Sequence, residues 1–378
     1  ISQNKDEPGL AGADKNIAAD QVIWTVYNDL NESLVNSLYG CKPMGIETQV
    51  TLWGYKRTDA LGNIYFKKHT FINKGGVDTS GTGQKGSFWL DSMYVAQWAD
   101  IDLGNAGDDV VGCDTVLGMG FVYNGNAIDT EYRGFGLAAP VSGFDFLAGP
   151  IVPGAPGDSG VVGLKRVYGK KNLPMTSFAF FSAGGAISDP RPRNWTTGAF
   201  RWYQMLKGYA AKGSVGDPDQ FYPFPPGLTP GKFPFSGDPT KPHNNLTNYL
   251  DGTGPAYSPS PGDRRIILAS GPFSLNPGDT NEVVVAGVLG IGSDRLSSVA
   301  VGKFNDLFAQ NTYDALFVVP SAPAPNVRSA QLDREVILDW GWDAARYAAI
   351  ELTTLNPGAF AFEGYNVYQM PNASAPLD

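Results

Sequence analysis

The sequence is poor in the side chains that most often carry metal and acid–base chemistry. It contains two histidines and two cysteines in 378 residues, so a catalytic transition-metal site built from imidazole and thiolate ligands is poorly supported. Charged residues make up 17% of the chain, with 37 acidic side chains against 28 basic ones. The net charge of −9 repels phosphate backbones, which argues against nucleic acid as the main partner.

Long apolar runs and nucleotide-binding motifs are also missing. No apolar run reaches the length that a membrane-spanning helix needs. Neither GxxxxGK[ST] nor a GxGxxG directly after a predicted strand occurs, so nucleotide binding is poorly supported. The chain begins at Ile1 without a signal peptide. We interpret this residue as a mature or trimmed terminus, from which export cannot be judged.

The two cysteines, Cys41 and Cys113, leave two interpretations open. A disulfide between them would close a long loop and stabilise the fold by about 4 kcal/mol in the chain-entropy treatment. Two buried free thiols fit the sequence equally well, because one pair of cysteines says little about the redox compartment.

What the sequence does contain is turn residues, aromatics and β-branched residues. It has 47 Gly and 28 Pro, and aromatics make up 12% of the chain. Four segments rich in β-branched and aromatic residues read as strands bounded by turns; they are residues 21–27, 46–55, 63–72 and 88–98. Short strands at near-regular spacing indicate a sandwich. We therefore predict a mainly β fold, with a large antiparallel β-sandwich, irregular Pro/Gly-rich insertions and one or two short helices.

The predicted domain organisation follows from composition. A sandwich-type domain over residues 1–319 would contain an irregular insertion at about 124–260. Within it we expect a helix after a cap at Ser293 or Asp294 and a shorter helix over residues 200–211. The first helix should face the core with an apolar stripe of Leu296, Val299, Phe304, Leu307 and Phe308. The turn NPGD at residues 276–279 suits a type II turn. A stiff Pro-rich linker follows at residues 320–325.

The C-terminal segment, residues 326–378, resembles the opening of a fibronectin type III module. Residues 336–340 would be its second strand, residues 363–368 its third, and Trp340 its core tryptophan. Half of such a sandwich exposes strand edges and an apolar face. We therefore predict contacts beyond this chain, either because the natural chain continues past Asp378 or because a neighbouring subunit adds strands.

The strongest sign of a site is the acidic segment 98–115, which reads WADIDLGNAGDDVVGCDT. Calcium takes several oxygen ligands from a backbone that folds round it, and Gly104 and Gly107 supply that flexibility. Without a cation the clustered carboxylates repel one another; the alternative is an acidic solvent loop with Asx turns. The EF-hand pattern is absent, since Val111 stands where a bidentate Glu belongs. We predict a calcium site formed by Asp100, Asp102, Asn105, Asp108, Asp109 and Asp114.

A second motif, GDSG at residues 157–160, resembles the nucleophile loop of chymotrypsin-like serine proteases. His69 and Asp102 lie upstream in the order that this family uses. Val161 follows where the family has another glycine, and His69 lies in a strand-like run. We therefore predict that Ser159 is not a nucleophile. A secreted hydrolase, of this serine type or a glycosidase with a carboxylate pair, is the alternative.

Aromatic residues raise a third option, a glycan-binding adhesion module, because aromatic faces stack on sugars. Trp195 and Trp202, near the irregular insertion, are the candidates for exposed platforms. The tryptophans in apolar strand patterns are expected to be buried; these are Trp24, Trp53, Trp89 and Trp340.

Several longer phrases, among them VIWTVYND, YGCKPMGIETQV and PGDRRIILASGPFSLNPGD, resemble uncharacterised secreted or cell-surface proteins of the Bacteroidota and Ignavibacteria, of the type IX secretion cargo kind. The resemblance implies an extracellular or cell-surface location and implies no activity. Together with the acidic segment, it leads us to expect a non-catalytic structural protein of a cell-surface layer, appendage or filament. We expect calcium as its cofactor, and self-association or another surface protein as its partner.

Overall fold

The computed structural model describes residues 19–78, 80–182, 189–190, 193–208, 210–211, 221–222, 233, 239–240, 260–317, 325–352, 362, 364–365 and 367. The strands are β1 (Gln21–Asn28), β2 (Ile46–Gly54), β3 (Ile64–Asn73), β4 (Leu90–Asp100), β5 (Asp109–Asp114), β6 (Met119–Asn124), β7 (Val141–Ala148), β8 (Ile151–Pro153), β9 (Ser159–Val162), β10 (Lys165–Tyr168), β11 (Lys170–Asn172), β12 (Ser177–Ser182), β13 (Ala210–Ala211), β14 (Phe221–Tyr222), β15 (Arg264–Leu275), β16 (Thr280–Gly290), β17 (Arg328–Leu332) and β18 (Glu335–Asp339). The α-helices are α1 (Glu32–Tyr39), α2 (Thr130–Gly134), α3 (Phe200–Leu206), α4 (Arg295–Asp314) and α5 (Ala344–Glu351).

Two antiparallel sheets form the centre of the fold, which confirms the predicted mainly β class. The larger sheet has seven strands in the order β1-β2-β3-β16-β7-β6-β5, and the smaller has three in the order β12-β15-β4. Their facing sides share one hydrophobic core, which includes Phe144, Phe146, Phe178, Phe180, Ile266 and Leu268. The four predicted strand segments correspond to β1 through β4.

The predicted turn between β15 and β16 is also confirmed. Gly278 has a φ of 85°, the left-handed conformation that the third position of a type II turn requires. The Asp279 N–H donates to the Asn276 carbonyl at 3.0 Å and closes the turn. This turn aligns β15, which lies in the small sheet, with β16, which lies in the centre of the large one.

Helix α4 covers the outer face of the large sheet, with Asp294 as its N-cap accepting from Leu296 N at 2.8 Å and Ser297 N at 2.9 Å. The predicted apolar stripe is only partly buried, because Phe304 and Leu307 are exposed. The buried face instead carries Ser298, Val299, Gly302, Asn305, Asp306, Ala309, Thr312 and Tyr313. A close crossing explains this rotation: a Cβ on Gly302 would lie 2.5 Å from Val141 Cγ1, so only small residues fit there.

A second helix, α3, covers the outer face of the small sheet. Met205 packs there with Ala179, Phe181 and Ile267 in a separate small core. The described part of the fold therefore stacks helix, sheet, sheet and helix around three apolar layers. No helix in the described ranges is long and apolar enough to span a membrane.

Both cysteines are free thiols. Cys113 lies buried on β5 and Cys41 is half-buried after α1. Burial raises the pKa of each thiol, which makes both poor nucleophiles.

The C-terminal part begins with a hairpin of β17 and β18, and β18 matches the predicted second strand. All ten residues of the hairpin strands are exposed. Helix α5 follows β18, and the four described residues between 362 and 367, where the third strand was predicted, lie outside any strand. Trp340 is half-buried, with its ring centroid 5.4 Å from that of Tyr365. The predicted linker lies almost wholly outside the described residues.

Candidate cation site

The acidic segment connects the small sheet to the large one. Strand β4 ends at Asp100, and a short 3-10 helix, Ala106–Asp108, leads directly into β5 at Asp109. Asn105 caps that 3-10 helix, because its side-chain oxygen accepts from Gly107 N at 3.0 Å. Asn105 therefore shapes the loop, and its oxygen is already engaged.

An outer group of carboxylates lies at the end of β4. Asp100, Asp102 and Asp263 each place one carboxylate oxygen within 4.8 Å of the others. Asp263 precedes β15, which pairs with β4 so that Arg265 lies opposite Asp100. Asp263 was not predicted from the sequence, because only the pairing of β15 with β4 brings it to the end of β4.

Arg265 partly neutralises this outer group. Its guanidinium donates to Asp100 Oδ2 at 3.0 Å, to Asp263 Oδ2 at 3.1 Å and to Asp189 Oδ2 at 3.3 Å. One guanidinium leaves an excess of negative charge among these three carboxylates and Asp102. Because the pairs are partly exposed, water screens much of their interaction.

An inner group of oxygens is buried beneath the outer one. Asp108, Asp109 and Asn124 are each at least 96% buried. Asp108 Oδ2 accepts from Asn126 Nδ2 at 2.9 Å and from Asn124 Nδ2 at 3.4 Å, and Asp109 Oδ2 accepts from Leu103 N at 3.2 Å. The Gly262 N–H donates to the Asp109 carbonyl at 2.9 Å, so the turn that carries Asp263 adjoins the inner group.

Four oxygen atoms of these two groups lack a hydrogen-bond donor. Among the described residues, Asp108 Oδ1, Asp109 Oδ1, Asn124 Oδ1 and Asp263 Oδ1 are buried without a hydrogen-bond partner. A buried acceptor left unpaired costs about 1–3 kcal/mol, and such groups are rare in native structures. All four are hard oxygen donors, the ligand type that calcium selects. Asp108 and Asp109 do not join the outer group, because among the described residues only Asp100, Asp102 and Asp263 place carboxylate oxygens within 4.8 Å of one another. Each of the four oxygens is therefore an individual candidate ligand.

The electrostatics of Asp109 agree with a missing positive charge. Burial, opposed by the hydrogen bond from Leu103 N and aided by the carboxylates of Asp108, Asp102 and Asp129, raises the pKa of Asp109 to about 7. A carboxylate held at such a pKa binds a proton or a cation far more readily than an exposed one does. Asp102 interacts with Asp109 and lies beside Asp263, so it links the inner and outer groups.

Asp129 holds the loop in place. Its Oδ2 accepts from Asn105 N at 3.0 Å, and its Oδ1 accepts from Glu131 N and Tyr132 N at 2.8 Å as the N-cap of α2. Gly104 has a φ of 65°, and a Cβ there would lie 2.5 Å from Asp129 Oδ1. Only glycine allows this approach. Gly104 indicated a tight loop in the sequence, but no residue of the acidic segment indicated that Asp129 would bond to this loop.

The structure does not bring Asp114 to this site. Asp114 lies at the other end of β5, about 16 Å away at roughly 3.3 Å per residue. Its carboxylate forms an ion pair with Lys303 of α4 and accepts from Val116 N at 3.0 Å. Because β5 is extended, Asp109 and Asp114 lie at opposite ends of it, whereas residues of a loop could have come together at one site.

Asp114 belongs to a second carboxyl cluster, beneath α4. Asp145 on β7 is fully buried, and neither of its side-chain oxygens has a hydrogen-bond partner among the described residues. Burial, together with the charge of Asp306, raises the pKa of Asp145 well above its usual range. Burial and Asp114, opposed by Lys303, raise the pKa of Asp306 to about 8. Protonated carboxyls therefore account for this cluster without a metal.

The residues of the serine-protease motif are not assembled into a triad. Ser159 Oγ accepts from Arg166 Nη1 at 3.2 Å. His69 instead faces a groove of about 470 Å³ between the two sheets and stacks on Phe71. Burial, with a smaller contribution from Lys67, lowers the pKa of His69 to about 4. Asp102 is part of the acidic site.

The aromatic predictions have mixed outcomes. Trp53 is buried as expected, whereas Trp89 is 59% exposed because it precedes β4 and lies outside the sheet. Trp195 is exposed. Trp202 is half-buried and packs edge-on against Phe181 with ring centroids 5.2 Å apart.

No protein-family model matches this chain, and no curated protein matches it.

Proposed function

We propose that this protein is a non-catalytic structural component of an extracellular or cell-surface layer, appendage or filament, and that calcium stabilises its fold at the acidic site. The observation that carries the proposal is the set of four unpartnered oxygens on Asp108, Asp109, Asn124 and Asp263. They come from three separate stretches of chain, so a bound cation would tie β5, β6 and the start of β15 together.

The location of these residues suits a stabilising role more than a catalytic one. The inner oxygens are buried, and a substrate would have to displace the 3-10 helix and the turn at Gly262 to reach them. Calcium tolerates irregular geometry and six to eight oxygen ligands, which favours it over the smaller, strictly octahedral magnesium. The cation therefore acts on the free energy of unfolding.

Exposed apolar surface supports the assembly part of the proposal. The hairpin of β17 and β18 exposes Leu332, Val336, Ile337 and Leu338. A two-stranded hairpin is marginal in water by itself, so a covering surface would stabilise it. A structural subunit acquires such a surface from its neighbours.

Thermal unfolding with calcium and with chelator tests the calcium proposal. In excess calcium the wild-type protein should gain about 2.7 kcal/mol when the ion is at one hundred times its dissociation constant. Asp109→Asn removes a charged ligand and should abolish most of this gain. Asp114→Asn, a buried aspartate on the same strand, is the matched control and should keep it.

Two outcomes would count against calcium. One is an unfolding temperature that calcium leaves unchanged. The other is an equal calcium response in both variants, which would place the ion elsewhere. Magnesium at the same concentration separates specific binding from general charge screening.

A glycan-binding surface is the second candidate, on one specific observation. Trp98 is exposed on β4, and near it Tyr94 and Tyr203 lie edge to face with ring centroids 5.7 Å apart. These aromatics lie beside α3 on the outer side of the small sheet. Trp98→Ala should reduce retention on immobilised polysaccharide if this candidate is right, whereas Phe304→Ala on exposed α4 should not.

A further inference from the structure

Strand β1 forms one edge of the seven-stranded sheet. Among the described residues it pairs only with β2. Its eight residues, QVIWTVYN, contain no charged residue and no proline. Natural edge strands are usually protected by charge, proline, a bulge or a covering element, because an open edge invites another strand. This edge has neither charge nor proline.

The side chains of β1 are exposed as well as its edge. Ile23 is 52% exposed, Val26 38% and Tyr27 54%. The apolar surface continues into α1, where Leu34 and Leu38 are exposed. Exposed apolar side chains along an unpaired edge identify a surface that is suited to strand addition.

The hydrogen-bond phase of β1 shows which backbone groups face outward. The register pairs Asn28 with Glu47, and the next N–H, that of Asp29, donates to the Ile46 carbonyl at 3.2 Å. Antiparallel pairs alternate, so the odd-numbered residues of β1 bond to β2. The N–H and C=O groups of the even-numbered residues therefore point to the open edge; these are Val22, Trp24, Val26 and Asn28.

Charges at the two ends of β1 favour an antiparallel partner. Lys56 and Arg57 lie beside its start, but so do two carboxylates: Lys56 N donates to Asp20 Oδ2 at 2.7 Å and Arg57 pairs with Asp59, so the charges at this end cancel. Asp29 and Glu32 follow its end. A parallel copy would place the two acidic ends side by side, whereas an antiparallel copy places each acidic end beside the balanced end of the other.

We propose that β1 pairs antiparallel with β1 of a second copy of this chain, about a two-fold axis that passes Thr25. This rests on the proposed function, because it names the partner of a structural subunit. A two-fold axis perpendicular to the sheet keeps odd residues opposite odd ones. Thr25 then faces Thr25 of the other copy, Trp24 faces Val26, and Ile23 faces Tyr27.

This register matches the chemistry of the edge. Trp24 and Val26 expose outward backbone groups, so they form the hydrogen-bonded pairs, and Thr25 occupies the closer non-hydrogen-bonded position. The pairs combine aromatic with β-branched side chains, which are favourable neighbours across strands. No charged residue lies opposite another within the paired segment. The contact is isologous and closes at two copies, joining two seven-stranded sheets into one.

Charge substitution at Thr25 tests the proposal on the full 378-residue chain. Thr25 is exposed, so the variants should fold, and circular dichroism checks this. Sedimentation equilibrium should show a wild-type dimer. Thr25→Lys and Thr25→Glu should each raise the dissociation constant roughly tenfold or more, because like charges meet at the axis. An equal mixture of the two variants should form the dimer again. Thr280→Lys, on an exposed strand residue away from this edge, should leave it intact.

A monomeric wild type would overturn the proposal, and so would a dimer that neither Thr25 variant weakens. Running each sample in calcium and in chelator separates this result from the calcium proposal. Loss of the calcium response with an intact dimer rejects the cation site alone. A calcium response in a monomer rejects the β1 interface alone.

Discussion

Strand β5 carries buried carboxylates at both ends, and the two ends differ in how their charge is balanced. At its end, Asp114 pairs with Lys303, and the nearby Asp145 and Asp306 have raised pKa values. At its start, Asp108 accepts from the Asn126 and Asn124 amides, Asp109 accepts from Leu103 N, and neighbouring carboxylates help to raise the pKa of Asp109. We expect an ammonium group and protons to neutralise one end, and we propose that a bound cation neutralises the other.

A cluster of acidic residues does not by itself indicate a metal site. The α4 cluster contains Lys303 and lies against the apolar core, where a protonated carboxyl costs less free energy than an ionised one. The start of β5 gathers backbone N–H donors, amide oxygens and carboxylates from three stretches of chain. Its unpaired atoms are acceptors on an amide as well as on acid groups, so this end offers a cation two kinds of oxygen ligand.

Removing Lys303 should have the largest effect. Lys303→Met leaves Asp114 buried and unpaired, which costs about 3–5 kcal/mol. Urea unfolding in calcium measures this loss. Lys74→Met is the control: Lys74 is exposed and lies 3.8 Å from Glu47, so its loss should cost at most about 1 kcal/mol. A cost for Lys303→Met as small as that for Lys74→Met would show that the α4 cluster is not balanced by this ammonium.

The α4 cluster should also make stability fall as pH rises. The pKa of Asp306 is raised from its ordinary value of 3.8 to about 8. Its stabilising contribution is therefore fully present below pH 3.8 and is lost as the pH rises through about 8, at no more than about 1.4 kcal/mol per pH unit for each proton released. Asp306→Asn should remove the part of this decline between pH 5 and pH 8 that comes from Asp306.

The start of β5 should respond differently to the same titration. In chelator Asp109 adds its own loss of stability as the pH rises through about 7. In calcium that loss should disappear, because the ion favours the ionised form. An unfolding free energy with the same pH slope in calcium and in chelator would contradict the difference between the two ends.

Gly104 should be required for the cation site. Gly104→Ala places a Cβ against Asp129 in a left-handed conformation and should cost about 2 kcal/mol or more. Gly136→Ala is the control, because Gly136 has a φ of 72° with no atom within 4 Å of the added Cβ. It should cost about 1 kcal/mol and leave calcium affinity unchanged. Equal calcium affinities in the two variants would show that the geometry of the loop at Gly104 does not determine calcium binding.

Asp100→Asn should give the smallest effect. Asp100 is partly exposed and already bonded to Arg265, so its loss should change stability by less than about 0.5 kcal/mol. Calcium affinity should fall only slightly, because Asp100 belongs to the outer group. A large loss of calcium affinity, measured by calorimetric titration, would indicate that the ion binds at the outer group and not at Asp109.

The sequence allowed prediction of the strands, because β-branched and aromatic runs between turns need little context. It also pointed to Asp108 and Asp109, since they lie in one short acidic segment. It could not provide Asp263, Asn124 or Asp129, which reach the site through the pairing of β15 with β4 and of β5 with β6. It wrongly grouped Asp114 with them in space, because it treated part of a strand as loop.

The orientation of α4 is a second feature that could not be predicted from the sequence. Periodicity identified Val299 correctly and expected Phe304 and Leu307 to be buried too. The sheet instead receives the small and polar face, where Asn305 Nδ2 donates to the Leu289 carbonyl at 2.7 Å and Ser298 Oγ to the Ala139 carbonyl at 2.7 Å. The distance between the backbones of α4 and the sheet determines which face of the helix is buried. The spacing of hydrophobic residues does not indicate that distance.

An anomalous difference map from crystals grown in calcium would locate the ion. We expect a peak at the start of β5, about 2.3–2.6 Å from Asp109 Oδ1 and from further oxygens among Asp108, Asn124 and Asp263. No peak should lie between Asp145 and Asp306. A map without density at Asp109, or with its peak beneath α4, would contradict the proposed calcium site.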